Sequence, residues 1–229
     1  MYGYYYDPTY LLLVPGLILA IVAQLLVTSA FTKWSRVRSS TGLTGAVIAR
    51  RILDANGCEN VMVAHIPGKL TDNFDPENGT LRLSDEVYGS DSVAALAVAA
   101  HEAGHAIQDA QNYVPMRVRA RIVPAANIGS MAAGPLFFLG LVASWQPLMR
   151  LGIYLFALAV LFYIVTIPVE VDASRRAILI LSTGLPEEEM RGAKAVLRAA
   201  ALTYIASALQ ALLQLLRLMA LANSRRRHD

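Results

Sequence analysis

The sequence is poor in the residues that most soluble enzymes rely on: one cysteine, four histidines and only 16% charged residues in a chain of 229. The lone Cys58 forms no intrachain disulfide and supplies no cysteine cluster for a structural metal, which fits a reducing compartment. With 55% hydrophobic residues and a mean hydropathy of +0.45, the scarcity of charge excludes a disordered tail, a collagenous repeat and an ordinary soluble domain. The formal net charge of +3 is balanced locally, with ten basic and ten acidic groups between residues 33 and 121, so no nucleic-acid-binding surface is expected.

What is present are long stretches with no charge at all. They cover 25 residues between Asp7 and Lys33, 28 from Ile122 to Met149, 19 from Leu151 to Val169 and 18 from Ala199 to Leu216. A membrane-crossing helix needs roughly 20 apolar residues, so three runs qualify and the fourth is marginal. The first, Pro8 to Thr32, is read as a retained anchor rather than a signal peptide. Its leading residues carry no positive charge, and Lys33, Arg36 and Arg38 follow it as a stop-transfer flank. Tyr2, Tyr4, Tyr5, Tyr6 and Tyr10, clustered around its start, suit the lipid headgroup level. Val123 to Trp145 and Leu151 to Pro168 are expected to form a transmembrane hairpin, with Pro168 marking a break or kink. Pro186-Glu-Glu-Glu189 starts a last helix that either crosses the membrane or lies along it. If the first three runs cross, Lys33, Arg36, Arg38, Arg117, Arg119, Arg121, Arg175, Arg176, Arg191 and Lys194 share one side, which the distribution of basic residues makes cytoplasmic. Arg225, Arg226 and Arg227 dissent if the fourth also crosses. With His228 they form a basic tail that suits solubilisation better than lipid binding.

Between the first and second spans the pattern changes. Leu43 to Asn56 reads as an amphipathic helix stopped by Gly57, and Glu59 to His65 as a short strand. Pro67-Gly68 and Asp75 to Gly79 turn the chain, and Thr80 to Ser84 alternates as a half-exposed strand. Ser90 or Asp91 is expected to cap an alanine-rich helix that starts at Val93 and runs to about Asp109.

That helix carries His101-Glu-Ala-Gly-His105. A spacing of four places both imidazoles on one helix face, where they can bind one Zn²⁺, and Glu102 stands beside the first ligand as general base toward the attacking water. Three polar groups together in so apolar a segment are costly unless they bind something, so a zinc peptidase site is favoured over a chance match. A catalytic zinc takes a third protein ligand, and the candidates are Glu170, Asp172, Asp109, His65 and His228. Glu170 and Asp172 stand where the third span leaves the membrane on the side of His101, and Glu170 is preferred.

Three segments carry a resemblance: Leu70 to Pro76 with Leu81 to Ser84, His101-Glu-Ala-Gly-His-Ala-Ile-Gln108, and Pro168 to Ala177. Together they look like the bacterial neutral zinc membrane peptidases of the YugP type, over nearly the whole chain. The resemblance implies a mainly α-helical integral membrane protein with a gluzincin-like zinc site and a small β element. It also implies zinc-dependent peptidase activity, and the placement of the motif beside the membrane spans makes membrane-associated or hydrophobic proteins the expected substrates. A more distant likeness to the HtpX and CAAX-processing membrane peptidases implies Glu170 as a ligand within Glu-x-x-Ala-Asp-x-x-Ala. Ala173 and Ala177 match that pattern, but Ser174 replaces its aspartate. It leaves Ser174 or Asp172 to orient a ligand histidine. The likeness further implies that the strand Thr80, Leu81, Arg82, Leu83, Ser84 offers its edge to an extended peptide. Arg175, Arg176 and His65 are the candidates to face the oxyanion.

The expected organisation is therefore an anchor over 1–32, a catalytic region over 33–121, the hairpin over 122–169, and a third-ligand and C-terminal helical region over 170–229. The expected partners are membrane lipid and a peptide or membrane-protein substrate, with a homo-oligomer or a regulatory membrane partner left open. The location implied is a bacterial inner membrane, crossed several times, with the catalytic region cytoplasmic. The competing class is a membrane scaffold or metal transporter. In it the same histidines hold a structural or transported metal.

Overall fold

The computed structural model describes residues 8–226. Tyr2, Tyr4, Tyr5, Tyr6, Arg227 and His228 lie outside the described residues, as do the side chains of Arg225 and Arg226. A 3-10 turn over Pro8–Leu13 leads into α1 (Val14–Trp34). Then follow α2 (Gly45–Ala55), β1 (Met62–His65), β2 (Asn73–Asp75), β3 (Thr80–Leu83), α3 (Asp85–Tyr88), α4 (Val93–Ala110), α5 (Val114–Val142), α6 (Gln146–Leu181) and α7 (Glu187–Arg226). The protein is a mainly α-helical integral membrane protein. Four helical stretches, Pro8–Trp34, Val114–Val142, Gln146–Leu181 and Glu187–Ser224, are long and apolar enough to cross a bilayer, so the C-terminal helix joins the three clear candidates. Pro168 does not end its helix: α6 runs through it to Leu181, as helices in membrane proteins tolerate when neighbours re-satisfy the freed backbone groups.

The chain folds as two compact units. One comprises residues up to Val22, Val118–Thr166 and those from Tyr204 on. Small residues bring its helices together. An added Cβ on Gly129 would meet the Leu155 carbonyl oxygen at 2.7 Å, and one on Gly152 would meet that of Ala133 at 2.8 Å. At its edge the Arg217 guanidinium stacks 3.7 Å from the Tyr10 ring centroid.

The other unit comprises Ala23–Arg117 and Ile167–Thr203. Its core is built around α4, whose residues from Val93 to Ala97 are completely buried. The alanines favour helix and, being small, let neighbours approach from every side. Packed around them are Leu53 of α2, Leu81 and Leu83 of β3, Val87 of α3, Ala177 of α6 and Leu197 of α7. The cap of α4 is Ser92, one or two residues beyond the expected position. Its hydroxyl accepts from the Ala95 amide at 3.2 Å, while Ser90 donates to Ser92 rather than to the helix. Glu189, in the first turn of α7, accepts from the Ser39 hydroxyl at 2.7 Å and the Ser40 amide at 2.9 Å, fixing the segment that precedes α2.

The sheet corrects one expectation. Its order is β1-β3-β2, with β1 parallel and β2 antiparallel to β3, so Thr80–Leu83 is the middle strand. Its backbone is paired on both sides, and Ser84 is occupied by Asp72, which accepts from its amide at 2.8 Å and its hydroxyl at 2.9 Å. The segment from Thr80 to Ser84 therefore has no free edge for a peptide. The open edges belong to β1 and β2, and β2 lies against α4.

Gly104 is where α4 meets α6. A Cβ there would stand 2.9 Å from the Ala173 carbonyl oxygen and 3.3 Å from its Cα, both backbone atoms that cannot swing aside. Gly104→Ala gains at most about 1 kcal/mol of helix propensity, against about 1–3 kcal/mol for overpacking. The variant should unfold at a lower temperature than the wild type; an unchanged or higher midpoint would show that the two helices have room.

Candidate metal centre

About two turns into α4 the buried face changes from alanine to His101, Glu102 and His105, which are 9%, 9% and 8% exposed. The i, i+4 spacing stacks the two imidazoles edge to face, with ring centroids 4.7 Å apart. Opposite them α6 presents Glu170, only 2% exposed. Its Oε2 lies 3.2 Å from His101 Nε2 and 3.4 Å from His105 Nε2. The ligand atoms of His101, His105 and Glu170 all lie within 4.8 Å of one another, so the three can hold a metal ion. The donor set suits zinc: around a tetrahedral ion with bonds of about 2.0–2.1 Å, neighbouring ligand atoms stand about 3.3 Å apart.

The far nitrogens of both rings are also engaged. His101 Nδ1 meets the Ser174 hydroxyl at 3.2 Å, and His105 Nδ1 meets Gln108 Oε1 at 3.0 Å. Gln108 Nε2 donates to the Val169 carbonyl at 2.8 Å and to Asp172 Oδ2 at 2.9 Å. Asp172 also accepts from Arg176 Nε at 2.6 Å, and Arg176 donates to Gln111 Oε1 at 2.6 Å, at the end of α4. Of the residues singled out from sequence, His101, Glu102, His105, Glu170 and Ser174 converge here, and Asp172 joins through Gln108. Arg176 is committed to Asp172 and Gln111, Arg175 is exposed, and His65 is exposed and paired with Asp85 at 2.7 Å. Asp109 ends up on the exposed side of α4. Gln108 is the participant that sequence reasoning passed over. Its signal was its place three residues beyond His105, on the same helix face.

Burial pushes the Glu102 carboxyl above its ordinary value, against the pull of His101 and His105 toward the ionised form. For His105 burial acts downward, but the hydrogen bond to Glu170 and the charge of Glu102 outweigh it and the net shift is upward.

Two neutral-capable imidazoles and a buried carboxylate, delivered by an HExxH helix and a second helix, define the class of gluzincin-like metallopeptidase sites. The particular family follows from comparison. A family model described as "putative neutral zinc metallopeptidase" matches residues 9–223, and the chain belongs to that family. It is 45% identical over 208 residues, 90% of this chain and 92% of the relative, to the "putative membrane protease YugP" of Bacillus subtilis (strain 168). No solved structure matches the chain.

Two outcomes follow for metal binding. Glu170→Gln should weaken zinc binding by more than about 100-fold, since even loss of a group that only orients a ligand costs about 10–100-fold; retained affinity in chelator competition would remove Glu170 from the ligand set. Zinc needs neutral imidazole, so a raised His105 pKa makes protons competitive at higher pH. Affinity should begin to fall, as pH is lowered, above the ordinary histidine value of 6.5. A flat affinity across that range would contradict the sign.

Proposed function

We propose that the protein is a zinc-dependent endopeptidase that hydrolyses peptide bonds in membrane-associated or hydrophobic proteins, with Glu102 as general base. The observation that carries this reading is a buried carboxylate, Glu102, on the same helix as the two histidines of a two-histidine, one-carboxylate donor set completed by Glu170 of α6. A structural or transported metal would need the ligands but not Glu102. His101, His105 and Glu170 would hold the ion. Zinc, when bound, supplies the Lewis acid that polarises the scissile carbonyl and acidifies a water molecule.

The remaining work falls to the chain. Glu102 takes one proton from the attacking water as the C–O bond forms. It returns that proton to the amide nitrogen as the C–N bond breaks, and the second proton of the water passes from the new acid to the amine or to solvent, so the products leave as carboxylate and protonated or neutral amine. Burial raises the affinity of Glu102 for a proton, which suits a group that must hold one between two steps. The substrate backbone is assigned to the free edge of β2, Asn73–Asp75. That strand lies against α4, and Asp72 immediately before it is close enough for its charge to act on Glu102. Main-chain pairing there would hold an extended peptide without demanding particular side chains.

The membrane spans suit a substrate that is itself lipid-near. The basic residues at the span ends support a catalytic unit on the cytoplasmic side of a bacterial plasma membrane.

The test is cleavage of a mixed pool of membrane proteins and unfolded peptides by the purified protein in lipid, with zinc content measured alongside. Glu102→Gln should keep its zinc and lose about 10²–10⁴-fold in turnover. Equal cleavage by both proteins, or a zinc-loaded wild type that transports metal and cleaves nothing, would overturn the proposal.

A further inference from the structure

A side-chain amide has a donor end and an acceptor end that look alike by shape, so its orientation has to be deduced from its neighbours. Gln108 is completely buried, and its neighbours leave one answer. One end of the amide faces the Val169 carbonyl oxygen at 2.8 Å and Asp172 Oδ2 at 2.9 Å. A carbonyl only accepts. The Asp172 carboxylate, held by Arg176 at 2.6 Å, only accepts as well. That end must therefore be the NH₂ group, which spends one hydrogen on each. The other end, 3.0 Å from His105 Nδ1, is then the oxygen.

An oxygen at that place requires a hydrogen on Nδ1. In the neutral ring the lone pair is consequently on Nε2, the nitrogen 3.4 Å from Glu170 Oε2. His101 has no such constraint, because the Ser174 hydroxyl at 3.2 Å from its Nδ1 can donate or accept.

We propose that Gln108 is the positioning residue of the metal centre. It dictates the tautomer of His105 by relaying the polarity of Asp172. Its two bonds to α6 also hold the histidine helix at a fixed distance from Glu170, the residue that follows Val169. The proposal rests on the assignment of His101, His105 and Glu170 as a zinc site. It assigns this task to a residue outside the His-Glu-x-x-His pattern.

The test uses the full chain in lipid nanodiscs, labelled with ¹⁵N-histidine and loaded with zinc, which binds only the neutral ring, with zinc affinity measured separately against a chromophoric chelator. Two-bond proton–nitrogen correlations should show His105 with its hydrogen on Nδ1 in the wild type. Gln108→Met should remove the constraint that places that hydrogen on Nδ1, replacing the single Nδ1–H pattern with a mixed one, and weaken zinc binding by about 10–100-fold. Gln108→Glu should weaken it too, because a second carboxylate faces Asp172 and the Val169 carbonyl. Replacing a side chain that merely fills space would leave the position of that hydrogen unchanged. If the wild type binds zinc and Gln108→Met changes neither tautomer nor affinity, the proposal fails alone. It also fails alone if Gln108→Glu binds zinc as tightly as the wild type. A wild type that takes up no zinc overturns the metal-site reading, and this proposal with it.

Discussion

The catalytic unit depends on one carboxylate placed where a carboxylate is expensive. Glu170 is 2% exposed, and the ionised form of an isolated acid at such a site would be strongly disfavoured. What compensates it is the pair of imidazole nitrogens at 3.2 and 3.4 Å from one of its oxygens. These come from a different helix nearly seventy residues earlier in the chain, so the site exists only when α4 and α6 are held face to face. Much of the local sequence serves that requirement. The contact residues are small, Gly104 against Ala173, and the body of α4 is mostly alanine. Gln108 bonds across to the α6 backbone one residue before Glu170.

The polar atoms around the centre form chains rather than isolated pairs. His101 leads to Ser174, and His105 leads through Gln108 and Asp172 to Arg176 and back to Gln111 at the end of α4. A buried network of this kind is stable only if every member is satisfied. Both routes end on α6 or return to α4 from it, so orienting the ligands and docking the two helices are one and the same set of contacts.

Much of this could be read from sequence, for definite reasons. The histidine pair, Glu102 and the helix that carries them follow from a spacing of four within an alanine-rich run. Glu170 follows from its position at the end of an apolar segment together with the likeness to peptidases that carry a ligand Glu in Glu-x-x-Ala. The features that escaped are those set by tertiary pairing. Asn73-Phe-Asp75 is too short and too turn-like to announce a strand, yet it pairs with β3 and turns Thr80–Leu83 from an edge into the middle of the sheet. The helix cap moved from Ser90 or Asp91 to Ser92 because Arg38 holds the Asp91 carboxylate and Ser90 bonds to Ser92. Pro168 read as a break or a kink because proline removes a backbone donor, and it is not a break, since α6 continues through it. Gln108 carries no charge and belongs to no metal-ligand pattern, so only its partners reveal it.

The account stands or falls on which atoms hold the metal. X-ray absorption at the zinc edge of the purified, zinc-loaded protein reports this without reference to activity. It should show one ion per chain bound by nitrogen and oxygen alone at about 2.0–2.2 Å, with the multiple-scattering signature of two imidazoles. A sulfur shell at about 2.3 Å, or a first shell with no imidazole signature, would contradict it.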